Sequence, residues 1–201
     1  YMESAIAAPV AITAITKAAP GVLSATGHTF ANGDTVLLEI QGMVELHGYL
    51  CKVVNVVAST SFQVAGVDGT AGIDTTLFST FSSGTAKKVT LGTSIVGVQE
   101  FAFAGGEIKT TDTTTVNDTV DTQIVVGATA QSADMTMQWD PSAAAQQAMI
   151  TAFKTRSNKG FKVLWPDGAF AMWYGTVGYT GAPGGGKQGV TTSPAKITML
   201  G

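Results

Sequence analysis

Short runs of apolar residues, separated by turn-forming residues, fill the first part of the chain. The runs cover residues 10–15, 36–40, 49–57, 61–64 and 86–89. Clusters of Pro, Gly, Asn, Asp and Ser separate them, and none has the three- to four-residue spacing of a helix. Strands this short and this regularly interrupted are typical of a small antiparallel barrel or sandwich. We therefore predict a small antiparallel β-barrel domain over residues 1–89.

A second series of strand-like segments begins near residue 90 and includes the one clear helical pattern. The strand-like segments cover residues 94–103, 106–111, 122–126, 134–139, 161–164, 169–177 and 195–200. In residues 143–155, apolar side chains recur at spacings of three and four, which places them on one face of a helix. The pattern predicts a second domain over residues 90–201, mainly β with one flanking helix.

Local signals mark the start of this helix and the turn that follows it. Asp140 is suited to accept backbone N–H groups as the N-cap, and Pro141 is suited to the first helical position. The predicted apolar face comprises Ala145, Ala148, Met149, Ala152 and Phe153. Residues 165–168 read Trp-Pro-Asp-Gly, which fits a type I turn and predicts a hairpin on either side of it.

The composition changes this picture by suggesting that much of the surface is covered. Charged residues make up 12% of the chain, about half of the roughly 25% that is usual in soluble proteins. A surface poor in charge is more easily covered by neighbouring subunits, which favours a self-assembling protein. An ordinary Thr-rich β-protein has a similar composition, so composition alone leaves both interpretations open.

The charges of the second half are divided between two parts of the sequence. Residues 99–140 contain seven acidic residues and one lysine, whereas residues 141–201 contain six basic residues and one aspartate. One interpretation is ordinary solvated faces. The other is that acidic and basic surfaces meet between copies, which orients the contact, and that remaining acidic strands line a passage that repels DNA phosphates.

A polar segment interrupts the second series between residues 110 and 119. It consists mainly of Thr with Asp and Asn and contains one apolar residue, Val116. Such a segment buries too little apolar area to order itself. We expect it to be mobile in an isolated subunit and to become ordered against a partner; an exposed hairpin loop is the simpler alternative.

Residues that could carry chemistry are scarce. His28 and His47 are the only histidines, and Cys51 is the only cysteine. Their spacing matches no metal site, and no third group that could orient His47 and Cys51 lies nearby in sequence. We predict a buried Cys51, hydrogen-bonded histidines, and no catalytic, metal or cofactor site. An enzyme is therefore the least favoured class of function.

Charge and hydropathy also bear on location and on nucleic acid. The net charge of −3 does not favour tight binding to phosphates. No apolar run reaches the roughly 18 residues of a membrane span. The Ala-rich residues 5–14 contain Pro9 and lack the basic start of a secretion signal. We expect assembly in the cytoplasm.

Six segments of the second half, taken in order, resemble a known family. They are residues 91–98, 106–114, 135–141, 147–148 with 152–153, 161–168 with 173–177, and 195–199. The third ends in Trp139-Asp140-Pro141, and the fifth contains the Trp-Pro-Asp-Gly turn. In order and spacing they are similar to the major tail tube proteins of long-tailed, lambda-like bacteriophages.

This resemblance implies a structural virion protein without enzymatic activity. The implied fold is a tail-tube β-sandwich or barrel with one flanking α-helix. Its copies form six-fold rings that stack into the tube through which DNA passes. The implied partners are other copies of the chain and the tape measure, tail tip and terminator proteins of the tail. The tube of a contractile tail or of a type VI secretion system has the same architecture and remains an alternative.

The resemblance also implies roles for particular residues. The long loop from residue 110 to 127 is expected to contact the adjacent ring through Thr110, Asp112, Thr115, Asn117, Asp118 and Asp121. Glu100, Glu107 and Asp134 are the candidate acidic residues of the lumen. The candidates for helix and subunit packing are Asp140, Ala148, Phe153, Trp165 and Trp173.

The first half resembles a different module. Residues 27–36, 48–53, 62–64 and 84–86 are similar to the small β-barrel of ubiquitin-activating enzymes, which recurs in phage virion proteins. Cys51 corresponds to no catalytic cysteine of those enzymes, so no such chemistry is implied. We expect this domain to decorate the outside of the tube. A receptor- or glycan-binding virion module is the alternative function.

Overall fold

The computed structural model describes residues 1–65, 69, 72–115, 119–185 and 189–200. The described chain is mainly β, with antiparallel strand pairing and one α-helix. Its strands form an eight-stranded sheet, a five-stranded sheet and a separate two-stranded hairpin. This architecture confirms the predicted fold class, a β-sandwich or barrel with one flanking helix.

The first sheet is built from the strands that precede residue 91. They are β1 (Ala5–Ile6), β2 (Val10–Ile12), β3 (Ala14–Ile15), β4 (Leu23–Ser24), β5 (Thr35–Gln41), β6 (Leu50–Val57), β7 (Ser61–Val64) and β8 (Ser83–Thr90). Their order is β1-β8-β5-β6-β7-β4-β3, with β2 also paired to β8. A 3-10 helix, Val44–Leu46, connects β5 to β6. Alternate apolar side chains meet in one core, in which Leu23, Val36, Val53 and Phe62 are fully buried.

The second half contributes the remaining strands and the helix. They are β9 (Val98–Ala104), β10 (Ile108–Asp112), β11 (Gln123–Ala128), β12 (Ser132–Gln138), α1 (Ala144–Thr155), β13 (Asn158–Leu164), β14 (Phe170–Gly178) and β15 (Thr192–Met199). Five of these strands form a sheet in the order β13-β14-β15-β12-β9. The α1 helix buries Met149 and Ala152 in the same apolar cluster as Trp173 and Ile197 of this sheet.

The two faces of the five-stranded sheet differ because side chains alternate along each strand. On β12, Ala133, Met135 and Met137 are buried toward α1, whereas Asp134 and Thr136 are partly exposed on the other face. The neighbouring strand β15 alternates in the same way. One face therefore forms a core, and the other presents polar groups.

The start of the chain joins the two sheets. Met2 pairs with both Phe161 and Thr93 and is buried in the core of the second half. Glu3 is 5% exposed and forms an ion pair with Lys159, at 3.0 Å between Oε1 and Nζ. Residues 1–4 thus add an extended segment beside β13, so that edge is already covered by the same chain.

A small apolar cluster also connects the sheets. Leu37, Leu50 and Val89 of the first sheet are buried, and Met172 and Tyr174 of β14 pack against them. The contact places the first sheet against the polar face of the five-stranded sheet, near β14. The predicted division after residue 89 remains a prediction about domains.

Several local predictions can be compared with the observed elements. The 165–168 turn is confirmed, because the Gly168 N–H donates to the Trp165 carbonyl oxygen at 3.0 Å. The strand predicted from residue 94 begins only at Val98. The prediction of Asp140 as the helix N-cap is wrong. Ala143 occupies that position without a side-chain cap, because Asp140 Oδ1 instead accepts from the backbone N–H and the hydroxyl of Ser142.

Candidate assembly surfaces

The hairpin formed by β10 and β11, here called the exposed hairpin, is the least covered part of the described chain. Its register pairs Thr110 with Val125 and Asp112 with Gln123, with an irregularity between Lys109 and Thr110. Every residue of both strands is exposed. A two-stranded hairpin is marginally stable alone, so this one is a candidate for covering by another molecule.

Large apolar side chains are part of this exposure. Ile108, Ile124, Val125 and Val126 are 67%, 54%, 66% and 58% exposed. The sequence pattern predicted the strand 122–126 but not that its apolar side chains are more than half exposed. The local sequence of an apolar strand does not indicate whether other parts of the same chain pack on that strand. Contiguous apolar exposure of this kind marks an interaction site.

A glycine with positive φ and two backbone hydrogen bonds hold the base of the exposed hairpin. Gly105 has a φ of +93°, and a Cβ there would overlap the Ala130 carbonyl oxygen. The Gly106 N–H donates to the Thr129 carbonyl oxygen at 3.1 Å, and the Thr129 N–H donates to the Glu107 carbonyl oxygen at 2.9 Å. The direction in which the hairpin leaves the sheet therefore depends on these few contacts.

Most of the residues predicted to contact an adjacent ring lie on this hairpin. Thr110 and Asp112 are in β10, and Thr115 and Asp121 lie in the connection between the strands. Asn117 and Asp118 lie outside the described residues. The hydroxyl and then the backbone N–H of Thr114 lower the pKa of the fully exposed Asp112, so its carboxylate remains ionised at neutral pH.

The polar face of the five-stranded sheet brings two of the three predicted lumen residues together. Asp134 pairs with Ala102, and Thr136 pairs with Glu100, so the two carboxylates are diagonal neighbours on β12 and β9. Lys196 of β15 lies across from Asp134, with 3.8 Å between Nζ and Oδ1. Glu107 does not lie on this face, because it is in the segment that leads into the exposed hairpin.

A groove with basic residues, here called the cationic groove, lies where the end of α1 meets β14 and β15. Its volume is about 500 Å³, and it is lined by Phe153, Lys154, Arg156, Thr176, Val177, Gly178, Lys196 and Thr198. Phe153 is 43% exposed, although the helical spacing predicted it on the core face. It lies in the last turn of α1, at the margin of the buried cluster. The sequence shows that residues 141–201 are rich in basic residues, but not that Lys154, Arg156 and Lys196 line one groove.

The family comparison identifies the molecule to which these surfaces belong. A family model described as phage tail tube protein matches residues 42–201, which is most of the chain. The chain belongs to the phage tail tube protein family. No curated protein matches it.

Family membership determines the class of function. A phage tail tube protein is a structural, non-enzymatic component of the virion tail, and membership implies self-assembly and contact with other tail proteins. The matched region begins at residue 42, inside the first sheet, and includes α1, the exposed hairpin and the five-stranded sheet. No helix among the described residues is long and apolar enough to cross a membrane.

The remaining packing candidates of this tail tube protein have different environments. Trp173 is 5% exposed and packs with Phe101, Phe103 and Phe161 at ring-centroid distances of 5.4 to 6.1 Å. Ala148 packs against the same cluster. Trp165 in the turn is 39% exposed. The structure thus brings Ala148 and Trp173 into one core and leaves Trp165 at the surface.

The histidines and the cysteine have structural environments in this tail tube protein. His28 Nε2 lies 3.2 Å from the carbonyl oxygens of Val57 and Ser61, and His47 Nδ1 lies 2.9 Å from that of Ile40. Cys51 is buried, and desolvation raises the pKa of its thiol to about 12. Within the described residues, no cluster of His, Cys, Asp or Glu has the makings of a metal site.

Proposed function

We propose that this protein forms six-membered rings that stack into the tail tube of a long-tailed, lambda-like phage. DNA passes through the lumen during delivery to the host. The observation that carries the proposal is the exposed hairpin, whose apolar side chains require a partner in a protein of the tail tube family. The proposed inter-ring contacts include Thr110, Asp112, Thr115 and Asp121.

Contact within a ring is proposed to use the β9 edge of the sheet. Among the described residues, strand β9 pairs only with β12, and all of its residues except Phe101 are exposed. The β13 edge differs, because residues 1–4 already cover it. An uncovered edge strand presents unpaired N–H and C=O groups, and pairing between copies removes that exposure.

The part of the polar sheet face on β9 and β12, which lies away from the contact of the first sheet at β14, is proposed to contribute to the lumen wall. Glu100 and Asp134 share this face and would repel DNA phosphates, which favours passage without binding. Lys196 offsets part of the negative charge near Asp134. We propose that the first sheet decorates the outside of the tube, and that the tape measure, tail tip and terminator proteins bind the completed tube at its interior and ends.

Electron microscopy of the purified full chain tests the assembly. Rings or tubes of uniform width at increasing protein concentration are the expected result. Class averages of end-on views then measure the number of subunits, for which we expect six. Particles that remain monomeric at high concentration would refute self-assembly by this chain, and density for the first sheet inside the lumen would refute its proposed outer position.

A further inference from the structure

We propose that the cationic groove receives the exposed hairpin of a second copy of this chain. The inference rests on the proposed self-assembly and names the two surfaces that meet. One surface is basic with an exposed aromatic side chain, and the other is acidic with exposed aliphatic side chains.

The described part of the chain supplies no acidic partner to most of the groove. Its lining contains three cations and no carboxylate. Lys154 and Arg156 have no carboxylate within 4.0 Å among the described residues, and Lys196 reaches only the exposed Asp134 at 3.8 Å. The groove therefore has a positive potential that an acidic partner could complement.

Capping of the helix does not account for these cations. The backbone N–H of Arg156 donates to the carbonyl oxygens of Ala152 and Phe153, and the Thr155 hydroxyl donates to that of Thr151. These bonds satisfy terminal groups of α1 without either basic side chain. Lys154 and Arg156 thus remain available to an external carboxylate.

The exposed hairpin has the complementary chemistry. It begins after Glu107, carries Lys109 and Asp112 in β10, and is followed by Asp121 just before β11, so three carboxylates face one ammonium group. None of these carboxylates has a basic partner within 4.0 Å among the described residues. Val125, which is 66% exposed and pairs with Thr110, shares a face of the hairpin with Asp112 and provides an apolar side chain for Phe153 of the groove. Both surfaces thus combine apolar exposure with unpaired charge of opposite sign.

The positions of the two surfaces favour contact between copies. The hairpin extends from β9 at the edge of the sheet, whereas the groove lies at β15 and β14, two and three strands away. These strand spacings correspond to about 10–14 Å. Both strands of the hairpin are exposed along their whole length, so they do not fill their own groove. A contact between different surfaces is heterologous, and repetition of it builds rings or stacks.

Disulfide cross-linking tests the contact directly. One variant carries Thr176→Cys in the groove, and the other carries Thr110→Cys on the hairpin face that carries Asp112; both positions are exposed. The buried Cys51, with its raised pKa, contributes little background. We expect mixed, assembled variants to form a cross-linked dimer. A control with Thr26→Cys, an exposed position on the first sheet, is expected to give none.

Charge reversal tests whether the groove is used because of its charge. Arg156→Glu and Asp112→Lys are each expected to raise the concentration needed for assembly about tenfold or more, and the double variant is expected to recover most of that loss. Lys17→Glu, on an exposed position of the first sheet, serves as the control and should have little effect. Lys154→Gln provides a milder change if Arg156→Glu fails to fold.

The outcomes separate this inference from the proposed function. If the unmodified chain does not assemble, the proposed function fails. If it assembles but the Thr176–Thr110 cysteine pair does not cross-link and Arg156→Glu and Lys154→Gln assemble normally, only the inference fails. If the unmodified chain binds DNA, the two groove variants do not, and the cysteine pair forms no cross-link, the groove is a nucleic-acid site and the proposed hairpin contact is overturned.

Discussion

Replacement of Gln146 by Leu removes a buried polar junction between α1 and the five-stranded sheet. Gln146 is 3% exposed, and its Oε1 accepts from the Tyr179 hydroxyl at 2.8 Å and from the Asp140 N–H at 3.2 Å. Its Nε2 donates to the Gln138 carbonyl oxygen at 2.7 Å. Leu has a similar size and can form none of these bonds, so the substitution tests the hydrogen bonds more than the packing.

The loss of unfolding free energy in Gln146→Leu depends on which polar groups lose their hydrogen-bond partner and cannot bind water instead. Tyr179 is fully buried, so its hydroxyl becomes an unsatisfied donor, which costs about 1–3 kcal/mol. Asp140 and Gln138 lie in exposed positions, so water can replace part of their bonds. We expect Gln146→Leu to lower the free energy of unfolding by about 2–4 kcal/mol.

A double-mutant cycle separates the hydrogen bond from the rest of this effect. Tyr179→Phe alone leaves Gln146 Oε1 bound to the Asp140 N–H and should cost about 1 kcal/mol. When both residues are replaced, neither half of the Tyr179–Gln146 bond remains unsatisfied. The double variant should therefore be less destabilised than the sum of the single variants, by about 1 kcal/mol.

Urea unfolding of unassembled protein, followed by tryptophan fluorescence, measures these differences. All three tryptophans, at positions 139, 165 and 173, lie in the second half. Gln147→Leu is the matched control, because Gln147 is exposed on the same helix, and we expect a change within about 0.5 kcal/mol. A loss below about 1 kcal/mol for Gln146→Leu, or strict additivity in the cycle, would refute the reasoning.

Three further predictions concern the core, the cysteine and the base of the hairpin. Met149→Ala should lower the free energy of unfolding by about 2–5 kcal/mol in the same urea assay, because Met149 is fully buried; an effect below about 1 kcal/mol would contradict its place in the core. Cys51 should resist thiol reagents until the protein unfolds. Since burial raises its pKa to about 12, stability should also fall as pH rises above about 8.5, the ordinary thiol value; fast labelling of folded protein would contradict this. Gly105→Ala should reduce assembly more than Gly168→Ala in light scattering: both glycines have positive φ, but only at Gly105 would a Cβ meet backbone atoms. Equal effects would contradict that account.

Local sequence signals predicted several individual elements well. The turn at 165–168 required only Pro and Gly in the right places. The helical spacing of residues 143–155 predicted α1, which begins at Ala144, three residues after the predicted first helical position, Pro141. The Asp140 cap failed because Asp140-Pro141-Ser142 forms a hydrogen-bonded turn of its own before the helix. Side-chain hydrogen bonds to nearby backbone groups compete with capping, and sequence spacing does not decide between them.

The surfaces were harder to predict than the elements. The sequence indicated separate acidic and basic segments, but it did not show that Glu100 and Asp134 share a face while Glu107 does not. That arrangement depends on strand register, which places residues from distant parts of the chain beside each other. Phe153 likewise follows the helical spacing and is nevertheless 43% exposed, because the buried cluster ends near the last turn of α1.

By itself, the sequence determined the β-rich architecture, the single helix and the family, because alternation, turn residues and the order of motifs are properties of neighbouring positions. The tertiary structure alone decided which surfaces lack a partner. Ile108 and Ile124 are exposed because no other described element packs on the hairpin, and the cationic groove forms because α1 packs on β14 and ends there. Both are consequences of contacts between residues far apart in the chain, which local patterns do not specify.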